Sequence, residues 1–355
     1  MGCITIGTRV DGEFFRRRTV SSENKNFRLG IIGAGIFAEA NHFPSLATHF
    51  FDDVDRVAVC DLRIERAQRM AGRYGWQNVY TDYRAMIEKE SLDAVIVCLG
   101  AKNHPAVAAD VLKRGVPVFL EKPSSCFLDG TKEIREASER AGVPIQVGHQ
   151  KRYSLAYERA RGRAFATDSF GKIVQIESKM HGFPVFPTFY TCMLEWQCHN
   201  LDLVISFGGP IRAVEAMANP TGPRTGGLIA MLRFESGAIG QLAWGTYGGP
   251  GQFAERIEIV SDKGNGVIVE NARDVVFYDP EVGERFSPDW NPISKNQSHV
   301  FNGYVRELRS FIDSIRGGKV PVPSIMDEEM TMYWLGEIAQ KAGVPLKWEF
   351  ISSEL

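Results

Sequence analysis

Two short stretches of this 355-residue chain concentrate side chains able to move protons and hold charge. In LEWQCHNLDLVISF, Leu194 to Phe207, a helical reading spaces Glu195, His199 and Asp202 at i, i+4 and i+7, on one face. Leu194, Cys198, Leu201 and Ile205 form an apolar stripe beside them. Histidine has the ordinary pKa best suited to taking and returning a proton near neutrality, and a neighbouring carboxylate can orient it or hold its charge. A solvated helix face with its own ion pairs has the same pattern. Glu and His four apart can also bind zinc, but no second cluster accompanies them and no metal is expected.

The second stretch is Glu121-Lys122-Pro123, directly after the apolar run Val116 to Leu120. Open α/β sheets bind their ligands at the carboxyl ends of their strands. A lysine there can donate to a substrate hydroxyl and stabilise the oxyanion that develops when a hydride leaves. Pro123 restricts the backbone after it, with a cis bond as one option. The alternative is a Glu–Lys surface pair opening a loop.

These residues need a scaffold, and the stretch Phe27 to Ala38 (FRLGIIGAGIFA) supplies its start. Leu29 to Ile32 is one buried strand, and Gly33, Gly35 and Ala38 follow at the spacing G-x-G-x-x-A, opening a helix from Ile36 to His49. In a dinucleotide-binding unit the first glycine makes the turn and the second admits the pyrophosphate. The third small residue lets the helix sit close on the strand. Asp61, twenty-six residues beyond Gly35, ends the second strand, where a carboxylate can accept from a ribose 2′-OH. Asp61 favours NAD over NADP, Arg63 could accommodate the extra phosphate, and a helix cap is the competing role for Asp61.

Short apolar strands then alternate with helices through Gly148, which predicts a parallel doubly wound sheet over residues 27–149. Beyond Gln150 the grammar changes to closely spaced strands, from Lys172 to Tyr278, and two closing helices, Val300 to Ile315 and Asp327 to Ala342. This predicts an α+β domain over 150–355 with a large, mostly antiparallel open sheet. Residues 1–26 are polar and without period, and are expected to be a flexible extension. His149, Lys151 and Arg152 fall at the junction, as polar contacts to a ligand or as solvated hinge residues. Phe183, Phe186, Phe189, Tyr190 and Trp196 offer apolar faces to a ligand ring, or pack their loop onto the sheet.

Composition narrows the classes. A net charge of -2 speaks against nucleic acid or an anionic membrane as the partner, and no apolar run reaches the length of a membrane span. Cys3, Cys60, Cys98, Cys126, Cys192 and Cys198 include no C-x-x-C pair, which suits reduced thiols and a cytoplasmic location.

With these pieces assembled, the chain resembles the glucose–fructose oxidoreductase / inositol 2-dehydrogenase / rhizopine catabolism (Gfo/Idh/MocA) family. The resemblance rests on GAGIFA at Gly33 to Ala38, His104-Pro105 after DAVIVCLGAKN, VFLEKP at Val118 to Pro123, and HNLDLVISFGG at His199 to Gly209. It extends from about Phe27 to Trp348. What it implies is an NAD(P)-dependent oxidoreductase acting on a sugar, cyclitol or related polyol. Cofactor contacts are then expected from Gly33, Gly35, Ile36, Phe37 and Ala38, from Asp61 and Arg63, and from His104, Glu121 and Lys122. Lys122 and His199 would flank the reacting carbinol, with His199 taking its proton, and Lys122, Arg152, Tyr190, Glu195 and His199 would contact the substrate. The family often carries Asp where this chain has Glu195. Its members form dimers or tetramers through the open sheet, and some are NAD-dependent glycosidases or non-catalytic regulators.

Overall fold

The computed structural model describes residues 26–182, 186–246, 253–279, 283–288 and 297–349. The expected extension at 1–26, all but its last residue, and Phe183 of the aromatic loop lie outside them.

The first half builds strand by strand as β1 (Phe27–Ile32), α1 (Ile36–Ala40), α2 (His42–His49), β2 (Val54–Cys60), α3 (Ile64–Tyr74), β3 (Asn78–Tyr80), α4 (Tyr83–Lys89), β4 (Ala94–Val97), α5 (His104–Lys113), β5 (Val118–Glu121), α6 (Leu128–Ala141) and β6 (Ile145–Gly148). All six strands run parallel in the order β3-β2-β1-β4-β5-β6, the doubly wound arrangement. The residues of β4, β5 and β6 are buried throughout, as strands covered on both faces must be. The helix expected from Ile36 to His49 is two helices that meet at Asn41, whose backbone leaves the helical region.

The second half contains α7 (Leu155–Ala164), α8 (Thr167–Phe170), β7 (Ile173–Gly182), α9 (Phe189–Cys192) and α10 (Cys198–Gly208). Strands β8 (Ile211–Pro220), β9 (Gly226–Phe234), β10 (Ile239–Thr246), β11 (Phe253–Ser261), β12 (Gly266–Glu270), β13 (Asp274–Tyr278) and β14 (Gly283–Phe286) follow. The chain closes with α11 (Gln297–Phe301), α12 (Tyr304–Arg316) and α13 (Ile325–Lys341). The eight strands pair in the order β14-β13-β12-β11-β7-β10-β9-β8, antiparallel except where β10 lies parallel to β7. Burial alternates residue by residue along β9, so one face packs on α7, α10 and α13 while the other stays open.

Two helices depart from the expected grammar. The run from Leu194 to Phe207 is interrupted by a π turn at Met193–Gln197 that separates α9 from α10. The helix expected over Val300 to Ile315 breaks at Gly303, whose φ is 97° and whose missing Cβ would stand 2.1 Å from the Gln150 carbonyl oxygen. After that break α12 returns to the first domain: Leu308, Phe311 and Ile312 share a core with Phe27, Ile31 and Phe119. Arg309 and Arg316 both clasp Asp53 beside β2. The strands of the first sheet thus end at Gly148 and those of the second begin at Ile173, while α12 packs on the first sheet's side.

His104, at the start of α5, splices two strand ends. The Leu99 amide donates to its Nε2 at 3.0 Å, so its Nδ1–H donates to the Pro123 carbonyl at 2.8 Å. Burial lowers its pKa to about 4. The unfolded chain therefore binds this proton first as the medium is acidified, and stability present above pH 6.5 is lost as pH falls toward 4. We predict a loss on the order of 3 kcal/mol from this group across that interval. Urea melts at pH 7 and pH 4.5 check it: a His104→Gln variant should show a flatter dependence, and an equal slope in both proteins contradicts the assignment.

Candidate active site

The glycine loop takes the shape its spacing demands. Gly33 has a φ of 103°, and a Cβ there would lie 2.0 Å from the Cys98 carbonyl oxygen, so only glycine fits. Gly35 opens α1 with no atom within 4 Å of where its Cβ would be, leaving bare backbone for a pyrophosphate to approach. Ala38 is fully buried beneath, whereas Ile36 (59% exposed) and Phe37 stand out beside the open backbone. Asp61 at the end of β2 accepts the Ala34 amide at 2.8 Å on one oxygen and the Arg63 amide at 2.8 Å on the other. It pins the loop and the start of α3 together, and each carboxylate oxygen keeps a second acceptor site for a ribose hydroxyl. The residues present thus fit a dinucleotide.

At the end of β5, Glu121 and Lys122 are not a surface pair. Glu121 is buried, bound through Oε1 to His42 Nε2 at 2.7 Å, and its Oε2 accepts the Lys122 amide at 3.1 Å. His42 was not foreseen: its partner lies seventy-nine residues away, and its only sequence signal is a histidine in the helix behind the glycine loop. The Lys122–Pro123 peptide is cis. The Lys122 ammonium crosses to the second domain, donating to the Glu195 carbonyl at 2.8 Å and lying 3.6 Å from its Oε2. Burial opposes the lysine charge, but Glu195 and Glu121 outweigh it and raise the pKa above its ordinary value. Glu195 sits in the π turn. A helical carbonyl ordinarily serves only the amide four residues on, and the wider turn presents this one to Lys122. Burial raises the Glu195 pKa, with Lys122 offsetting part of the rise.

His199, in the first turn of α10, is 7% exposed and has no hydrogen-bond partner on Nδ1 among the described residues. Burial first, then the charges of Lys122, Lys151 and His149, depress its pKa well below the usual histidine value. It is therefore neutral across physiological pH and able to accept a proton, while Lys122 beside it is charged and able to stabilise an oxyanion.

Other expected contacts are placed elsewhere. Asp202 does not share a solvent face with His199; it is fully buried and receives both Arg152 Nε (2.7 Å) and Arg152 Nη2 (2.6 Å). Arg152 is thereby committed to Asp202 and, at 3.5 Å, to Asp327, which leaves it holding the domain junction rather than a ligand. Tyr190 is buried, stacked on Phe127, with its hydroxyl donating to the Cys126 carbonyl at 3.2 Å. Both ring nitrogens of His104 are taken, so it shapes the cofactor site through Leu99 and Pro123. Of the aromatic loop, Phe189 is buried, and Phe186 packs edge-on against Trp196 at 5.4 Å. Phe253 also meets Trp196 edge-on, at 6.5 Å. His149 and Lys151 are not solvated hinge residues: His149 Nε2 meets Glu328 at 2.6 Å, and Lys151 pairs with the buried Glu255. All five cysteines within the described residues are free and buried.

Both halves of the chain are similar to known proteins. Residues 27–149 match the model of the oxidoreductase family with an NAD-binding Rossmann fold, and residues 161–266 match the Gfo/Idh/MocA C-terminal domain, so the two models together span more than half of the chain. Myo-inositol 2-dehydrogenase of Thermotoga maritima is 26% identical over 336 residues, covering 89% of this chain and 96% of the relative. A dehydrogenase from Chromobacterium violaceum superposes with a TM-score of 0.82 at 23% identity, over 91% of this chain and 96% of that one. Levoglucosan dehydrogenase, solved with NADH and L-sorbose, superposes with a TM-score of 0.77 at 18% identity, over 90% and 97%. No helix among the described residues is long and apolar enough to cross a membrane. The chain belongs to the Gfo/Idh/MocA family and is an NAD-binding oxidoreductase.

Proposed function

We propose that the protein is a dehydrogenase or reductase for a sugar, cyclitol or related polyol, with the reacting carbinol between Lys122 and His199. The observation that carries this reading is the pairing of a charged lysine with a neutral histidine at the carboxyl end of β5, beside the open glycine loop. Bound NAD supplies the hydride acceptor, as Asp61 favours it over NADP. His199 takes the carbinol proton, and Lys122 donates a hydrogen bond to the oxygen as its negative charge develops. Glu195, partly open to the site, holds Lys122 in place and can accept from a neighbouring substrate hydroxyl. Trp196, Phe186 and Phe253 supply apolar faces for the ring carbons. Arg63 and Phe37 border the adenosine and pyrophosphate positions.

A panel of hexoses, cyclitols and sugar lactols followed at the nicotinamide absorbance tests the reading. We predict NAD reduction with at least one polyol. Lys122→Ala and His199→Gln should each lower kcat/KM by about 100-fold or more, with cofactor affinity kept within a few-fold in His199→Gln. Full turnover in either variant would remove these residues from the chemistry.

We further propose that the open face of the eight-stranded sheet joins copies of the chain in a homodimer or homotetramer. Met217 (73% exposed), Met231 (65%) and Ile229 form an apolar group there, larger than a solvated face requires. Light scattering should give a dimer or tetramer for the native chain and smaller species for Met231→Lys with Met217→Lys. An unchanged mass in that variant would assign the face another role.

A further inference from the structure

Behind the reacting pair lies a buried group of charges that the mechanism above does not use. His149, at the end of β6, and Glu328, on α13, are each 1% exposed and joined by a 2.6 Å contact between Nε2 and Oε2. Glu328 uses its other oxygen to accept the Ser124 amide at 3.0 Å, two residues beyond Lys122. The remaining nitrogen of His149 stands 3.7 Å from Asp202 Oδ2. Its ring meets that of His199 edge-on, at 6.0 Å between centroids and 90° between planes. Two carboxylates thus flank one imidazole, and that imidazole is in ring contact with the proposed base.

The charges around the two rings are accounted for on every side. Asp202, from α10, is neutralised by the two-pronged grip of Arg152. Lys151, following β6, is neutralised by Glu255 of β11, which also accepts the Tyr157 hydroxyl from α7. Lys122 is met by Glu195. Glu307 of α12 faces Asp202 and Arg152, and burial raises its pKa well above the carboxylate range, so it adds no charge. That leaves Glu328, a fully buried carboxylate whose ionic partner is His149. Desolvation works against protonation of His149, but Asp202 and then Glu328 overcome it and raise its pKa.

We propose that His149 is a positioning residue for the reaction: clamped by Glu328 and Asp202, it stands as a fixed cation in edge contact with His199 and keeps that imidazole free of a proton between turnovers. This rests on His199 acting as the base. The consequence runs in both directions of catalysis. His199 is ready to accept the carbinol proton over the physiological range, and once protonated it is a strong acid toward a carbonyl oxygen. Sequence spacing alone does not reveal the arrangement, because Glu328 is 179 residues from His149 and reaches it only after α13 has packed against β6.

The test is carbon-13 NMR titration of the seven histidines in the NAD-loaded full chain, the His199 signal being the one lost in His199→Gln. We expect His149→Gln to move the His199 midpoint upward by roughly one pH unit. The acid limb of kcat/KM should follow, so activity below that midpoint falls about tenfold while the plateau is kept. Since His149→Gln leaves Glu328 buried and unpaired, the double variant His149→Gln/Glu328→Gln serves as a second reading if the single one folds poorly. It should also move the His199 midpoint upward, by less than the single variant, because the negative charge of Glu328 goes together with the positive charge of His149. A His199 midpoint unmoved in either folded variant overturns the proposal, as does a loss of kcat with no change of limb, which a purely structural role would give. If no polyol reduces NAD, the dehydrogenase reading fails on that result, while the NMR midpoint still decides the role of His149.

Discussion

The bond from Lys122 Nζ to the Glu195 carbonyl oxygen, 2.8 Å long and spanning the two sheets, is the constraint on which the site depends. A buried ammonium is costly unless both its charge and its donors are satisfied. Here the carbonyl satisfies a donor and the Glu195 carboxylate balances the charge, so the lysine stays ionised in a place with little water. The same bond holds the end of β5 against the turn before α10, which sets His199 next to Lys122. It works alongside the grip of Arg152 on Asp202 and the contacts of Glu328 with His149 and Ser124, which hold the junction of the same two halves.

From that constraint follows a division of electrostatic labour. Burial acts on Lys122 and His199 alike, disfavouring charge in both. Glu195 rescues the charge of one, while the cations around the other add to its desolvation. Two groups that would both be protonated in mild acid are thus separated into one cation and one neutral imidazole, the pairing on which the proposed acid–base roles rest. The glycine loop is shaped separately, with Gly33 locked by the Cys98 carbonyl and Gly35 left bare.

Much of this was legible in the sequence wherever the cause is local. Gly33, Gly35 and Ala38 adopt their roles because turn geometry and helix–strand distance depend on near neighbours. The β1, β4, β5 and β6 runs read as buried parallel strands because burial on both faces leaves a continuous apolar segment. What was not legible is set by distant partners. Tyr190 looked like a ligand platform but is claimed by Cys126 and Phe127, and Arg152 is claimed by Asp202. The break at Gly303 answers to the Gln150 carbonyl, and the π turn at Met193–Gln197 carries no periodicity of its own. Helical spacing put Glu195, His199 and Asp202 on one face, whereas the wider turn and the pull of Arg152 divide them between the site and the core.

The most direct measurement of the account is a structure of the NAD-bound protein with a polyol that it oxidises. The account predicts one carbinol oxygen within about 3 Å of both Lys122 Nζ and a ring nitrogen of His199, its carbon facing the nicotinamide. A polyol held with all its oxygens away from either residue would contradict it.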